Sequence, residues 1–149
     1  MRRAEQGFTL LELVVVIAIL AIVLGVVITR APNSGGALQT RAAAGALAQA
    51  LRGARAAAME RSMPVSVAID PARHSFAPDF GAVRLIDPTL RITVLPPALH
   101  GPGDVRLIQF APDGSATGGA VMIGNGKRRL LVAVEWLTGR VQVSDAPAS

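Results

Sequence analysis

Few residues in this chain have the side chains from which active sites are built. The sequence has 149 residues, no cysteine and two histidines, His74 and His100. Neither histidine belongs to an HExxH motif or a Cys/His cluster, and no Gly-x-Ser-x-Gly segment offers a nucleophile. We therefore predict two surface histidines, no metal site, no cofactor, no small-molecule substrate and no enzymatic activity.

Two segments resemble ligand-binding loops but are better explained as turns. Gly124-Asn125-Gly126-Lys127 lacks the spacing of a phosphate-binding loop and opens no helix, so we predict a hairpin turn. Asp113, in Pro-Asp-Gly, is followed by no acidic residues at EF-hand spacing. We predict a turn aspartate there rather than a calcium ligand.

The most unusual charge is Glu12, the single ionisable side chain between Phe8 and Ile28. At about 1.5 Å per residue, a helix over this run is roughly 30 Å long, which matches the hydrocarbon core of a bilayer. A strand would end after roughly 5–6 residues. The run therefore predicts a membrane-spanning helix, in which a charge costs about 2.5–3.5 kcal/mol and needs an explanation.

Two ordinary targeting segments explain the N-terminus only in part. A secretory signal peptide accounts for Arg2 and Arg3, but its apolar region is shorter, roughly 7–15 residues, and ends at a small-x-small cleavage site. A plain signal anchor accounts for the length and leaves Glu12 unexplained. Because basic residues precede the run, the amino end is predicted to stay in the cytoplasm and the rest to be translocated to the periplasm.

The hexapeptide Gly-Phe-Thr-Leu-Leu-Glu, from Gly7 to Glu12, resembles the class III signal of type IV pilins and type II secretion pseudopilins. The resemblance implies that a prepilin peptidase cuts between Gly7 and Phe8 and methylates the new amine of Phe8. It also implies that Glu12 acts in filament assembly by pairing with the terminal amine of a neighbouring subunit. Pairing of Glu12 with the Phe8 amine of its own chain remains the alternative.

The fold predicted from these patterns is α+β and pilin-like, with a long N-terminal helix packed against a C-terminal antiparallel β domain. We assign residues 1–7 to a cleaved leader and 8–30 to the membrane-spanning half of the helix. Residues 31–62 are assigned to a kink and a periplasmic amphipathic helix, and 63–149 to the β domain. Pro32 and the two glycines after it predict the interruption, with helix resuming at about Ala37 and ending at Arg61.

The predicted periplasmic helix has one apolar stripe. Its members recur at helical spacing: Thr40, Ala43, Ala44, Leu47, Leu51, Ala54 and Ala58. Arg41, Arg52 and Arg55 fall on another side, where they form either a solvated surface or a basic rail for nucleic acid or an acidic partner. Strands are predicted at 65–70, 74–77, 82–86, 90–95, 105–110, 120–123, 129–136 and 140–143, followed by a frayed tail at 144–149.

The C-terminal third extends the family resemblance. Residues 108–119 and 134–141 resemble the GspH/FimT branch of pseudopilins, and the ending Trp-Leu-Thr-Gly-Arg-Val, at 136–141, is more like the GspH secretion subunit. FimT relatives serve DNA uptake, and their tail often carries a second arginine where this chain has the neutral Gln142.

This resemblance implies a non-enzymatic minor pseudopilin of a type II secretion system, held in the inner membrane by a single span. Its partners would be the prepilin peptidase and the other pseudopilins. A FimT-like pilin that binds DNA is the alternative, with Arg128, Arg129 and Arg140 converging near the last hairpin as its surface. A third class is an anchored monomeric domain without a filament role.

Overall fold

The computed structural model describes residues 10–29, 34–126 and 128–146. The chain divides between Ser34 and Gly35 into two compact units, which are considered separately. The predicted leader at 1–7 and the predicted kink around Pro32 lie outside the described residues.

The first unit contains one described helix, α1, which runs from Leu10 to Thr29 over 20 residues. Glu12 lies in its first turn, and the described side chains of α1, those of residues 10–23, are all exposed. Over the described part of the chain, no helix meets both the length and the hydropathy of a membrane crossing.

The second unit contains nearly all of α2, a helix of 28 residues that runs from Ser34, the last residue of the first unit, to Arg61. The prediction that helix resumes only near Ala37 is wrong, because Gly35 and Gly36 already belong to α2. The hydroxyl of Thr40 donates to the carbonyl of Gly36 at 2.7 Å, one turn back along the helix. The alanine-rich sequence after the glycines continues the helix once its first turn has formed.

One face of α2 is buried, as the periodicity predicts. Its buried residues are Thr40, Ala44, Leu47, Ala48, Leu51, Ala54 and Ala58. Ala43 is half-buried, whereas Arg41 and Arg52 are exposed and Arg55 is half-buried. The predicted apolar stripe is therefore confirmed, with Ala48 as an addition.

The described residues after α2 contain nine strands, and every pairing between these strands is antiparallel. They are β1 Val65–Asp70, β2 Ser75–Pro78, β3 Arg84–Leu85, β4 Arg91–Leu95, β5 Leu99–His100, β6 Arg106–Phe110, β7 Gly119–Asn125, β8 Arg128–Val134 and β9 Val141–Asp145. One sheet has the order β3-β2-β1-β6-β5 and the other the order β4-β7-β8-β9.

The buried faces of α2 and of both sheets form one hydrophobic core. Alternate residues of β1 point into it, since Val65, Val67 and Ile69 are buried while the residues between them are half-buried. Further buried residues come from β6, β7 and β8: Ile108, Phe110, Val121, Ile123, Leu130, Val132 and Val134. The α+β, pilin-like fold class predicted from the sequence is confirmed.

Four predictions about strands need correction. The strand predicted at 129–136 ends at Val134, and Glu135 and Trp136 lie in the connection that follows. The strand predicted at 82–86 is only the two-residue β3, and β5 was predicted as loop. β9 extends to Asp145, into the segment predicted as a tail, because Asp145 still pairs with Leu130 of β8. Short or extended edge pairings depend on the neighbouring strand, so residue periodicity does not reveal them.

Candidate functional site

The residues of the predicted processing signal lie at or beyond the edge of the described structure. Gly7 and Phe8 are outside the described residues. Glu12 is the third residue of α1 and is exposed. The assignments of cleavage to Gly7 and Phe8, and of assembly to Glu12, therefore stay predictions.

The prediction that Arg128, Arg129 and Arg140 converge is wrong. β8 and β9 pair so that Val134 lies opposite Val141 and Leu130 opposite Asp145. Arg128 starts β8, whereas Arg140 directly precedes β9 and thus lies at the other end of the ladder. Six residues of strand separate the two ends by roughly 20 Å. In an antiparallel pair, the start of one strand lies beside the end of the next. Arg128, at the start of β8, therefore lies near the end of β9, whereas Arg140 precedes the start of β9.

Arg140 instead meets two arginines of α2. Together they line a cleft of about 370 Å³, which we call the arginine cleft; its residues are Arg52, Arg55, Thr138, Gly139, Arg140 and Val141. The helix contributes the first two residues, the turn between β8 and β9 contributes the next three, and Val141 is the first residue of β9. The sequence allowed a basic surface on α2 made of Arg41, Arg52 and Arg55. Arg41, however, does not line the cleft.

Two hydrogen bonds fix the helix arginines against the sheet. Arg52 and Arg55 are three residues apart on α2 and so lie on the same side of the helix. The Nη2 of Arg52 donates to the carbonyl of Val141 at 3.1 Å, and the Nε of Arg55 donates to the carbonyl of Gly114 at 3.1 Å. Arg52 thereby joins α2 to the start of β9, and Arg55 joins α2 to the turn after β6.

The turn that carries Arg140 is closed by its own hydrogen bonds. The amide of Glu135 donates to the carbonyl of Arg140 at 3.0 Å, and the amide of Gly139 donates to the carbonyl of Glu135 at 2.9 Å. The hydroxyl of Thr138 donates to the Glu135 carboxylate at 2.7 Å and accepts the amide of Arg140 at 3.3 Å. The turn therefore holds the backbone of Arg140 in place beside the helix.

Gly139 allows this turn to approach α2 closely. Its φ of 61° is in the left-handed region, and a Cβ there would collide with the carbonyl oxygen of Gly114 and lie 2.9 Å from the Nε of Arg55. Any side chain at this position would push the turn away from the two groups that shape the cleft. The glycine is thus a structural requirement of the arginine cleft.

We expect Gly139→Ala to destabilise the fold more than Gly126→Ala does. Both glycines have positive φ, so alanine costs roughly 1–2 kcal/mol of backbone strain at either position. At Gly126 an added Cβ meets no described atom within 4 Å, whereas at Gly139 overpacking adds about 1–3 kcal/mol. Urea unfolding followed by circular dichroism measures the difference, and equal midpoints for the two variants would contradict the close approach.

The other loop candidate, Asp113, lies in the turn that Arg55 contacts. Its Oδ1 accepts the amide of Ser115 at 2.9 Å and the Ser115 hydroxyl at 2.6 Å. The hydroxyl bond, followed by the amide bond, lowers the pKa of Asp113 below its ordinary value. Asp113 therefore bonds to the residue two positions further on, as expected for the turn aspartate that the sequence predicts.

Two large apolar side chains are exposed on the turn beside the cleft. Trp136 and Leu137 directly precede Thr138, and their exposed fractions are 65% and 62%. The family resemblance of this segment does not predict that the turn it belongs to packs beside Arg52 and Arg55. The spacing of the two helix arginines was visible, but the turn they face is more than 80 residues further along the chain.

Solved structures with a similar fold show which fold class the chain has. The minor pseudopilin EpsH of Vibrio cholerae aligns with a TM-score of 0.58 at 14% identity, over 72% of this chain and 97% of that one. The minor pilin FimU of Pseudomonas aeruginosa aligns with a TM-score of 0.56 at 18% identity, over 76% of this chain and 92% of that one. The fold is therefore that of a type IV pilin-like protein.

Sequence comparisons identify the family within that class. A model of the prokaryotic N-terminal methylation motif matches residues 2–28, and a model of type II transport protein GspH matches residues 43–138. Type II secretion system protein H of Xanthomonas campestris pv. campestris is 31% identical over 144 residues, which are 95% of this chain and 84% of that protein. The chain belongs to the GspH family, the minor pseudopilins of type II secretion, and nothing in these comparisons favours the DNA-binding alternative.

Proposed function

We propose that the protein is a non-enzymatic subunit of the type II secretion pseudopilus, processed between Gly7 and Phe8 and methylated on the amine of Phe8. The observation that carries the proposal is the match of the N-terminal methylation motif to residues 2–28, ahead of the GspH match. In this proposal residues 1–7 are the leader that the prepilin peptidase removes. The peptidase and the sister pseudopilins are its partners.

The proposal includes a single inner-membrane anchor formed by residues 8–30. It is supported by the composition of α1, whose 20 residues contain one ionisable side chain, Glu12. Arg2 and Arg3 precede this segment and favour a cytoplasmic amino end, which leaves the domain from Gly35 onward in the periplasm. A protein of this kind acts by position and contact in a filament rather than by chemistry on a substrate.

The processing step is tested by mass spectrometry of the protein from cells that contain the secretion system. We expect the mature chain to begin with N-methylphenylalanine at Phe8. The matched variant Gly7→Leu should retain Met1, because a bulky side chain next to the scissile bond obstructs the extended conformation that a narrow protease site requires. An intact Met1 in the unaltered protein, or a cut near Ala31, would refute the processing proposal.

A further inference from the structure

We infer that the arginine cleft binds the carboxylates of an acidic peptide segment of another protein. The cleft brings Arg52, Arg55 and Arg140 together from two elements far apart in the sequence. Guanidinium groups stay charged at any physiological pH, and three of them in one cleft repel each other. A bound carboxylate removes that repulsion and accepts paired hydrogen bonds from the planar guanidinium.

The three guanidiniums keep most of their hydrogen-bonding capacity. An arginine has five N–H groups, of which Arg52 and Arg55 each use one in the bonds to backbone carbonyls. The side chain of Arg140 makes no hydrogen bond to any described residue. Arg52 and Arg55 are held in place by these bonds and keep unused donors, which is an arrangement that recognises a planar anion.

No salt bridge joins Arg52, Arg55 or Arg140 to a carboxylate of the described residues. Elsewhere in the described chain, an ion pair joins Arg73 to Asp70 at 3.7 Å, at the end of β1. The acidic residue closest to the cleft along the turn is Glu135, and its carboxylate accepts the hydroxyl of Thr138. The three guanidiniums are therefore without a salt-bridge partner among the described residues, and a carboxylate from another protein would supply one.

The exposed residues beside the cleft favour a protein partner. Trp136 and Leu137 offer an apolar surface on the same turn as Arg140, with 65% and 62% of each residue exposed. Tryptophan and arginine are the side chains that most often dominate the binding energy of protein interfaces. A peptide that places an apolar residue against Trp136 and acidic residues in the cleft would use both features.

The distribution of charge disfavours a nucleic acid as the ligand. A duplex carries one phosphate charge per about 1.7 Å of its axis, so its binding sites follow the backbone with a continuous basic surface. Arg128 and Arg129 lie at the opposite end of the β8–β9 ladder from Arg140. The positive charge of the cleft is therefore a local cluster, which suits a short acidic segment.

The inference names a contact of the proposed pseudopilus subunit but is tested without a filament. Trp136 is the chain's single tryptophan, so its fluorescence reports directly on the turn beside the cleft. The purified full chain in detergent micelles is titrated at low ionic strength with a synthetic peptide of one leucine followed by glutamates. We expect a saturable change in fluorescence, and none with the same peptide in which glutamine replaces each glutamate.

The variant Arg140→Gln should weaken the binding of the glutamate peptide by about tenfold, the loss expected for a charged hydrogen bond. The matched variant Arg128→Gln removes the same charge at the other end of β8 and should bind like the unaltered protein. Circular dichroism checks that both variants are folded. Secretion and filament assembly play no part in the measurement, so it can fail while the proposed function holds.

Three results would overturn the inference. One is the absence of saturable binding by the glutamate peptide. Another is an equal loss in Arg128→Gln and Arg140→Gln, which would mean attraction to net charge only. The third is tighter binding of a random DNA duplex than of the peptide, with loss on Arg140→Gln, which would assign the cleft to nucleic acid.

Discussion

The variant Glu12→Val is expected to be processed and retained in the membrane, yet to be missing from the pseudopilus. Secretion should then fall to the level of a strain that lacks the gene. Removing a carboxylate from α1 makes the helix more compatible with lipid, by about 2.5–3.5 kcal/mol on insertion scales. Failure to assemble could therefore not be ascribed to poor insertion. The proposed cause is the loss of the charge that pairs with the amine of a neighbouring subunit.

The matched control is Leu13→Val, which introduces valine at the next position of α1 and changes no charge. It should be processed, assembled and active. The measurements are membrane fractionation, the mass of the amino end, the amount of subunit in sheared filaments and the amount of secreted protein. Normal assembly of Glu12→Val would refute the pairing proposal. Loss of the variant from the membrane would instead indicate that Glu12 acts in membrane insertion.

The variant Leu47→Ala should lower the free energy of unfolding of the domain that starts at Gly35 by about 2–5 kcal/mol. Leu47 is fully buried on the face of α2 that shares a core with both sheets. Truncation to alanine leaves a cavity that rigid strands on the other side cannot fill. The measurement is urea unfolding of a fragment that starts at Gly35, which contains every residue of the described hydrophobic core.

Leu38→Ala provides the control on the same helix. Leu38 is 69% exposed, so its truncation removes little buried surface and should change stability by no more than about 0.5 kcal/mol. A loss at Leu38 as large as that at Leu47 would mean that α2 is held by its helix propensity and not by packing. Equal and negligible effects would contradict the assignment of the α2 face to the core.

The elements with regular periodicity could be predicted from the sequence. In α2 the spacing of Leu47, Leu51 and Ala54 is helical, and in β1 valine and isoleucine alternate with smaller or polar residues. Each pattern arises because one face of the element is buried in a core. It can therefore be recognised without knowing which other residues form that core. β5 has no such pattern, because its two residues are held only by pairing with Leu107 and Arg106 at a sheet edge.

By itself, the sequence determined the apolar run with Glu12, the amphipathic α2 and the family resemblance, because each of these features depends on residues that are close together in the sequence. Only the tertiary structure decided which arginines meet. The β8–β9 register places Arg128 and Arg140 at opposite ends of the ladder. The packing of α2 against the β domain places Arg52 and Arg55 in the same cleft as Arg140. The packing of the shared core sets the register of the strands and the position of the helix. The backbone then determines where the charged surface residues lie, and the spacing of those residues in the sequence does not predict it.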